Sequence, residues 1–199
     1  NKHSIGAGDL RHDLDLSLPE LRALLDLADA MKREPARYTE TLKGRAIALL
    51  FEKPSLRTRY TFEIAVQQLG GFCVTGTGMV GERDPLKDVA RNLERWVQGI
   101  VARVFSQQTI DELAQWSRVP VINALSDLYH PCQALADAQT VRERFGRDIV
   151  QCDHRVARVD TSEAGVTIHL ENRAGHSLGT ATSDILVGAD GIHSAVRAT

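Results

Sequence analysis

The chain has 199 residues, 43% hydrophobic and 25% charged, the balance of a soluble globular protein with room for one sizeable domain and a small second one. Its 24 Lys and Arg offset 26 Asp and Glu to a formal charge of -2, which excludes the basic field that nucleic acid or an anionic membrane would require. Cys73, Cys132 and Cys152 are odd in number and lack metal-ligand spacing, so a reduced, cytoplasmic setting is expected, with no metal site.

The opening NKHSIGAGDL lacks the charged-then-apolar order of a signal peptide, and no apolar run approaches the roughly 20 residues that span a bilayer. The chain opens on Asn1 and not on Met, as expected of a truncated start. Ile5 to Leu10, IGAGDL, begins like a dinucleotide fingerprint, but no third Gly follows and no strand precedes it, so it reads as a flexible lead-in. Ser17 and Glu20 form a capping box. Leu18, Leu21, Leu24, Leu25, Ala28 and Met31 then mark the apolar face of a helix that ends near Arg33.

Arg45 to Phe51 is a continuous apolar strand, and Phe62, Ile64, Ala65, Val66 and Leu69 recur at helical spacing until Gly70 and Gly71. Between them lies FEKPSLRTR. Pro54 keeps Lys53 out of the helical region, so a helix is expected to begin at Ser55, with the free N–H groups and partial positive charge of its first turn facing the loop. Such an end binds anions. Ser55 and Thr58 add hydroxyls, and Arg57 adds a guanidinium fork that matches paired phosphate oxygens. The same residues also fit an ordinary Ser-capped helix with surface arginines.

Phe72 to Thr75 reads as a short strand, followed by the Gly-punctuated loop TGTGMVGER. Asp84 as N-cap and Pro85 in the first turn open an amphipathic helix through Leu86, Val89, Ala90, Leu93, Trp96 and Val97, with Trp96 in the core. Gly99 to Phe105 is a strand interrupted by Arg103. An arginine in a buried parallel strand is costly unless it meets an anion or a carboxylate, though a residue near a strand end can also snorkel to solvent. Ile110 to Trp116 is a helix and Val121 to Ala124 a strand. DLYHPCQ then turns into a helix from Pro131 to Phe145. His130 and Gln133 flank its start, at the strand edge where open α/β folds bind ligands. A structural hydrogen-bonding role would suit a lone His; Gln133 on the same turn favours ligand contact. Cys132 reads as a packed residue and not as a nucleophile.

Strands alternating with helices through Gly146 imply a parallel sheet covered by helices on both faces. After Gly146 the pattern changes. Val156 to Asp160, Val166 to Glu171 and Thr180 to Thr182 are short alternating segments that imply an antiparallel meander, and DILVGADGIHSAVR reads as strand, tight turn and helix start. The expected division is residues 1–146 and a small β-rich tail, 147–199.

FEKPSLRTR, followed in order by ARVF and DLYHPCQ, resembles the ornithine carbamoyltransferase family, and specifically its N-terminal carbamoyl-phosphate domain, over about residues 10–146. The resemblance implies that Ser55, Arg57 and Thr58 hold the phosphate, together with the backbone N–H of Leu56, which stands where many members carry a threonine. It implies that Arg103 bridges phosphate and carbonyl oxygen, that His130 polarises the carbonyl, and that Gln133 binds the carbamoyl amide. It also implies transfer of the carbamoyl group to the δ-amine of ornithine, no cofactor for this part, and trimeric assembly. The loop before Asp84, which in the family can reach a neighbouring subunit's site, is short here and shows no obvious glutamine. The family's ornithine-binding domain and its Cys-Leu-Pro motif have no counterpart after Gly146, so an incomplete enzyme, or a noncatalytic module that binds carbamoyl phosphate or partner subunits, is expected. Residues 149–197 instead resemble an internal piece of the flavin-dependent monooxygenases, in which Asp190 and Gly191 of GADGIHSAVR would lie against FAD. This resemblance implies a further alternative, the remnant of an FAD-dependent monooxygenase; FAD would be required only if that tail belongs to a complete flavin fold.

Overall fold

The computed structural model describes residues 6, 8–146, 151 and 153–188. Two compact units divide the chain, Asn1–Arg144 and Phe145–Thr199. In the first, helix α1 (Leu18–Arg33) precedes strand β1 (Ala46–Phe51), helix α2 (Leu56–Gln68), β2 (Phe72–Thr77), α3 (Leu86–Leu93), β3 (Gly99–Arg103), α4 (Gln107–Trp116), β4 (Val121–Leu125) and α5 (Pro131–Phe145). The four strands form a parallel sheet in the order β2-β1-β3-β4. As expected for strands that alternate with helices, β1 and β3 carry core residues on both faces, whereas Phe72 and Val74 of the edge strand β2 are exposed.

The pleat of β1 explains how. Ala46, Ala48 and Leu50 join Ile100, Ala102 and Val121 on one face, under Ala90 and Val97 from α3 and its end and Ile110 and Leu113 of α4. Ile47, Leu49 and Phe51 point the other way, with Val101, Ala124 and Phe62 of α2. Removing a Leu49- or Ile110-sized side chain from such a site costs about 2–5 kcal/mol. The free edge of β4 is covered by the chain near Leu10, whose N–H bonds the Val121 carbonyl at 2.9 Å and whose carbonyl accepts Asn123 N–H at 2.8 Å.

The capping box of α1 is present: Ser17 accepts from the Glu20 N–H, and the Glu20 carboxylate accepts from the Ser17 N–H. Of the apolar face read in this helix, Leu25 is buried and Leu18 is exposed. Arg142 of α5 reaches back to Asp26 at 2.6 Å and Asp29 at 3.1 Å on α1.

Three expectations fail in this unit. Pro85, and not Asp84, is the N-cap of α3, with extended ψ of 141°; its carbonyl accepts the Asp88 and Val89 N–H groups, and its side chain, which has no acceptor, makes no cap. Trp96 is 68% exposed, because α3 stops at Leu93 and the helical phase that would carry Trp96 inward ends there. Strand β2 extends past Thr75 to Thr77, because β1 offers a ladder partner at every residue to Phe51 and so overrides Gly76.

The second unit holds the antiparallel meander β5 (Arg155–Ser162), β6 (Gly165–Glu171) and β7 (Ser177–Ser183), in the order β5-β6-β7. Val159 is buried, whereas every residue of β7 is exposed. The expected strand in DILV, residues 184–187, does not form; Ser183 instead makes local hydrogen bonds to Ile185 through its hydroxyl. The turn and helix read after it, including Asp190 and Gly191, lie outside the described residues. No helix among the described residues is long and apolar enough to cross a membrane.

Candidate functional site

Strand register brings the candidate residues to one edge. Phe51 pairs with Arg103, and Arg103 pairs with Leu125, so the ends of β1, β3 and β4 lie side by side. The segments leaving them carry Ser55 and the first turn of α2 to Thr58, then Phe105, and Ser126 to His130. All emerge at the C-terminal edge of a parallel sheet, where open α/β folds place ligands.

Ser55 is the N-cap of α2, with φ -152° and ψ 107°, but its side chain makes no cap hydrogen bond. Ser55 thus holds the N-cap position that the ordinary Ser-capped reading expects, but without the side-chain bond that such a cap makes. The first turn, Leu56 to Thr58, presents its N–H groups at this end without a side-chain cap. The Leu56 side chain points outward at 69% exposure, and Arg57 is exposed.

Arg103 ends β3 half-buried, and its Nη1 donates to the Thr58 hydroxyl at 3.0 Å. Its Nε is buried without a hydrogen-bond partner. Among the described residues no carboxylate pairs with it; the neighbouring charge is Arg57. Burial first, and then the Arg57 charge, hold the guanidinium below its ordinary pKa. Both effects oppose a cation, so this arrangement is costly without a counter-charge.

His130 lies half-buried at the start of α5, where its carbonyl accepts the N–H groups of Gln133 and Ala134 at 3.0 and 3.1 Å. Burial, followed by the Arg103 charge, depresses its imidazole pKa, with Asp137 acting the other way. Its Nδ1 is buried without a partner. Gln133 is exposed, and its amide donates to Asp137 at 2.8 Å. Cys132 packs as expected: burial pushes its thiol up to about 11, and Sγ contacts the Asn123 carbonyl at 3.4 Å. Among the described residues no cluster of three His, Cys, Asp or Glu side chains could hold a metal.

The structure thus brings Thr58, Arg103 and the Arg57 charge together, and places His130 within electrostatic range of Arg103. Such a set can hold an anion at the α2 end and aim a neutral imidazole at a group beside it. Two further residues shape the site. The Glu52 carboxylate accepts the N–H of Val80 at 2.9 Å and of Phe105 at 2.7 Å, tying the loops after β2 and β3 to the one after β1. Asn123, fully buried in β4, holds the turn before His130. The signal for Asn123 was available: it is a polar residue inside the apolar run VINAL. Nothing in the sequence pairs Glu52 with Val80.

Residues 9–143 match the family model described as aspartate/ornithine carbamoyltransferase, carbamoyl-P binding domain. An ornithine carbamoyltransferase of Deinococcus radiodurans is 51% identical over 144 residues, which make up 71% of this chain and 47% of that protein. The crystal structure of ornithine carbamoyltransferase from Thermus thermophilus superposes with a TM-score of 0.66 at 55% identity, covering 70% of this chain and 49% of that one. A mutant N-acetyl-L-ornithine transcarbamylase, complexed with carbamyl phosphate and N-succinyl-L-norvaline, gives 0.64 at 36% identity, over 71% of this chain and 49% of that one. The chain spans about half the length of the curated relatives it matches.

Proposed function

Because the chain belongs to the aspartate/ornithine carbamoyltransferase family through residues 9–143, we propose that its first unit binds carbamoyl phosphate. The Ser55 and Thr58 hydroxyls, the Leu56 N–H and the Arg57 guanidinium take the phosphate. Arg103 bridges phosphate and carbonyl oxygen, His130 donates to that carbonyl, and Gln133 receives the carbamoyl amide. The observation that carries this reading is Arg103, a half-buried cation with an unpartnered Nε and another cation as its charged neighbour. A relative of matching fold is itself complexed with carbamyl phosphate.

In the complete enzyme, the ornithine δ-amine forms a C–N bond to the carbamoyl carbon as the C–O bond to phosphate breaks, giving citrulline and phosphate. Correct positioning of that amine can account for about 7–11 kcal/mol of barrier lowering, and no residue of the second unit is assigned to it. This chain alone is therefore a carbamoyl-phosphate-binding unit that does not turn over ornithine. Calorimetry tests the site: Arg57→Ala should remove a charge-assisted contact of about 1.5–3 kcal/mol, or roughly ten- to a hundredfold in affinity. Equal affinity in wild type and variant overturns the assignment. His130-dependent citrulline formation at about 1 per second or faster would instead make the chain a working transferase.

Self-association, to a trimer by family resemblance, is the proposed assembly. Leu56, Tyr60 and Ile64 on α2, at 69%, 53% and 53% exposure, form an apolar stripe at i, i+4, i+8 spacing that supports it. Light scattering that finds only monomer at high concentration counts against it.

A further inference from the structure

The turn that carries His130 rests on a buried polar network that the carbamoyl-phosphate reading leaves unused. Asn123, Gln107 and Ser126 are each at most 5% exposed. The Asn123 amide donates to the Arg11 carbonyl at 2.8 Å and to Gln107 Oε1 at 3.1 Å. Ser126 Oγ donates to the same Gln107 oxygen at 2.7 Å and accepts the Tyr129 N–H at 3.0 Å. The Ser126 N–H donates to the Tyr129 carbonyl at 3.0 Å, so the turn from Ser126 to Tyr129 is closed in both directions. That carbonyl belongs to the peptide bond that leads into His130.

The same residue governs the strand end. The register between β3 and β4 shifts at Ala102 and Arg103, which pair with Asn123 and Leu125, so Ala124 is an extra residue in β4. Leu125 takes φ of 147°, a region that non-Gly residues rarely occupy. It is held there from both sides: Asn123 Oδ1 accepts the Leu125 N–H at 2.9 Å, and the Leu125 carbonyl accepts the Val104 N–H at 3.0 Å. A bulge and a strained residue next to a candidate site re-aim the chain beyond them, and they persist only where surrounding bonds over-determine them.

We propose that Asn123, acting with Gln107 and Ser126, is a positioning residue: it fixes the Tyr129–His130 peptide and the bulge opposite Arg103, and so aims the imidazole at the carbamoyl group. The Asn123 amide makes no apolar contact that the core requires; what it satisfies are the Leu125 N–H, the Arg11 carbonyl and the Gln107 side chain, all of them at the strand end and the turn. The ligand part of this inference rests on the carbamoyl-phosphate reading; the positioning of His130 does not.

The test follows the His130 imidazole by NMR titration in the full chain, with His130→Ala identifying its resonance. Ser126→Ala is the principal variant and Asn123→Ala the second. Ser17→Ala, which removes the distant cap of α1, controls for general loss of stability. With cooperative melting retained, the His130 midpoint should rise toward the ordinary imidazole value in the two network variants and stay in place in Ser17→Ala. Affinity for carbamoyl phosphate should fall about tenfold, the scale of one lost charge-dipole contact, while inorganic phosphate, held at the α2 end, changes less than about twofold. An unmoved His130 midpoint, or an equal loss for both ligands, overturns the proposal. If Asn123→Ala does not fold, Ser126→Ala decides. If wild type binds neither ligand, the carbamoyl-phosphate reading falls by itself and the titration still decides the positioning.

Discussion

Arg103 Nη1 donates to the Thr58 hydroxyl at 3.0 Å, across 45 residues of sequence, and so joins the end of β3 to the first turn of α2. The bond orients a guanidinium that has no carboxylate partner among the described residues, and it leaves the buried Nε for another acceptor. Thr58→Val keeps the shape of the side chain but removes that acceptor. Phosphate affinity should fall about tenfold. In a double-mutant cycle with Arg103→Lys the two losses should be less than additive, because they disable one shared interaction. Full additivity by calorimetry would show that the bond does not serve the site.

His130 gives a pH signature whose sign is fixed by the direction of its shift. Its folded-state pKa lies below the ordinary 6.5, chiefly through burial and the Arg103 charge. As pH drops below 6.5 the unfolded chain takes up a proton that the folded chain still refuses, so stability falls through that window and is fully present above it. His130→Gln should flatten this part of the stability profile in urea melts between about pH 7.5 and 5.5. An anion bound beside Arg103 should move the other way on the ring and raise the imidazole pKa. A titration midpoint that ignores saturating phosphate would remove His130 from the anion's surroundings.

Glu52 holds two loops by their backbones. Glu52→Gln replaces one carboxylate oxygen with an N–H₂ group that faces a backbone donor, so either Val80 or Phe105 loses its acceptor. Hydrogen exchange at that amide should speed up about tenfold, while the melting temperature moves by only a few degrees. Unchanged protection at both amides would mean that other contacts hold these loops.

The second unit should not retain FAD by itself. A dinucleotide needs its pyrophosphate held by a Gly-rich turn at a helix start, and IGAGDL stops after its second glycine. Purified protein should be colourless after desalting, with no visible flavin absorbance. Stoichiometric flavin would reverse this expectation and reopen the monooxygenase-like reading of the tail.

Local patterning was enough to determine most of the elements. The Ser17 capping box set the start of α1, Pro131 and Gly146 bracketed α5, and the change from helical to alternating periodicity after Gly146 marked the meander. These signals are short-range, since caps, proline geometry and pleat each act within a few residues. The candidate anion site was legible for the same reason, because a strand-turn-helix with Ser55, Arg57 and Thr58 carries its chemistry on one turn.

Only the tertiary structure decided what depends on partners distant in sequence. Trp96 read as core, yet it lies outside because α3 ends one turn too early. Whether Arg103 would end β3 in solvent or against another element could not be read from the strand; the fold sets it half-buried, bonded to Thr58 of α2 and with Arg57 as its charged neighbour. The bulge at Ala124 and the strain at Leu125 exist because β3 fixes the register that β4 must meet. Sequence specifies which groups need partners; which partners they find depends on strand order and register, and these are set by the packing of the whole sheet.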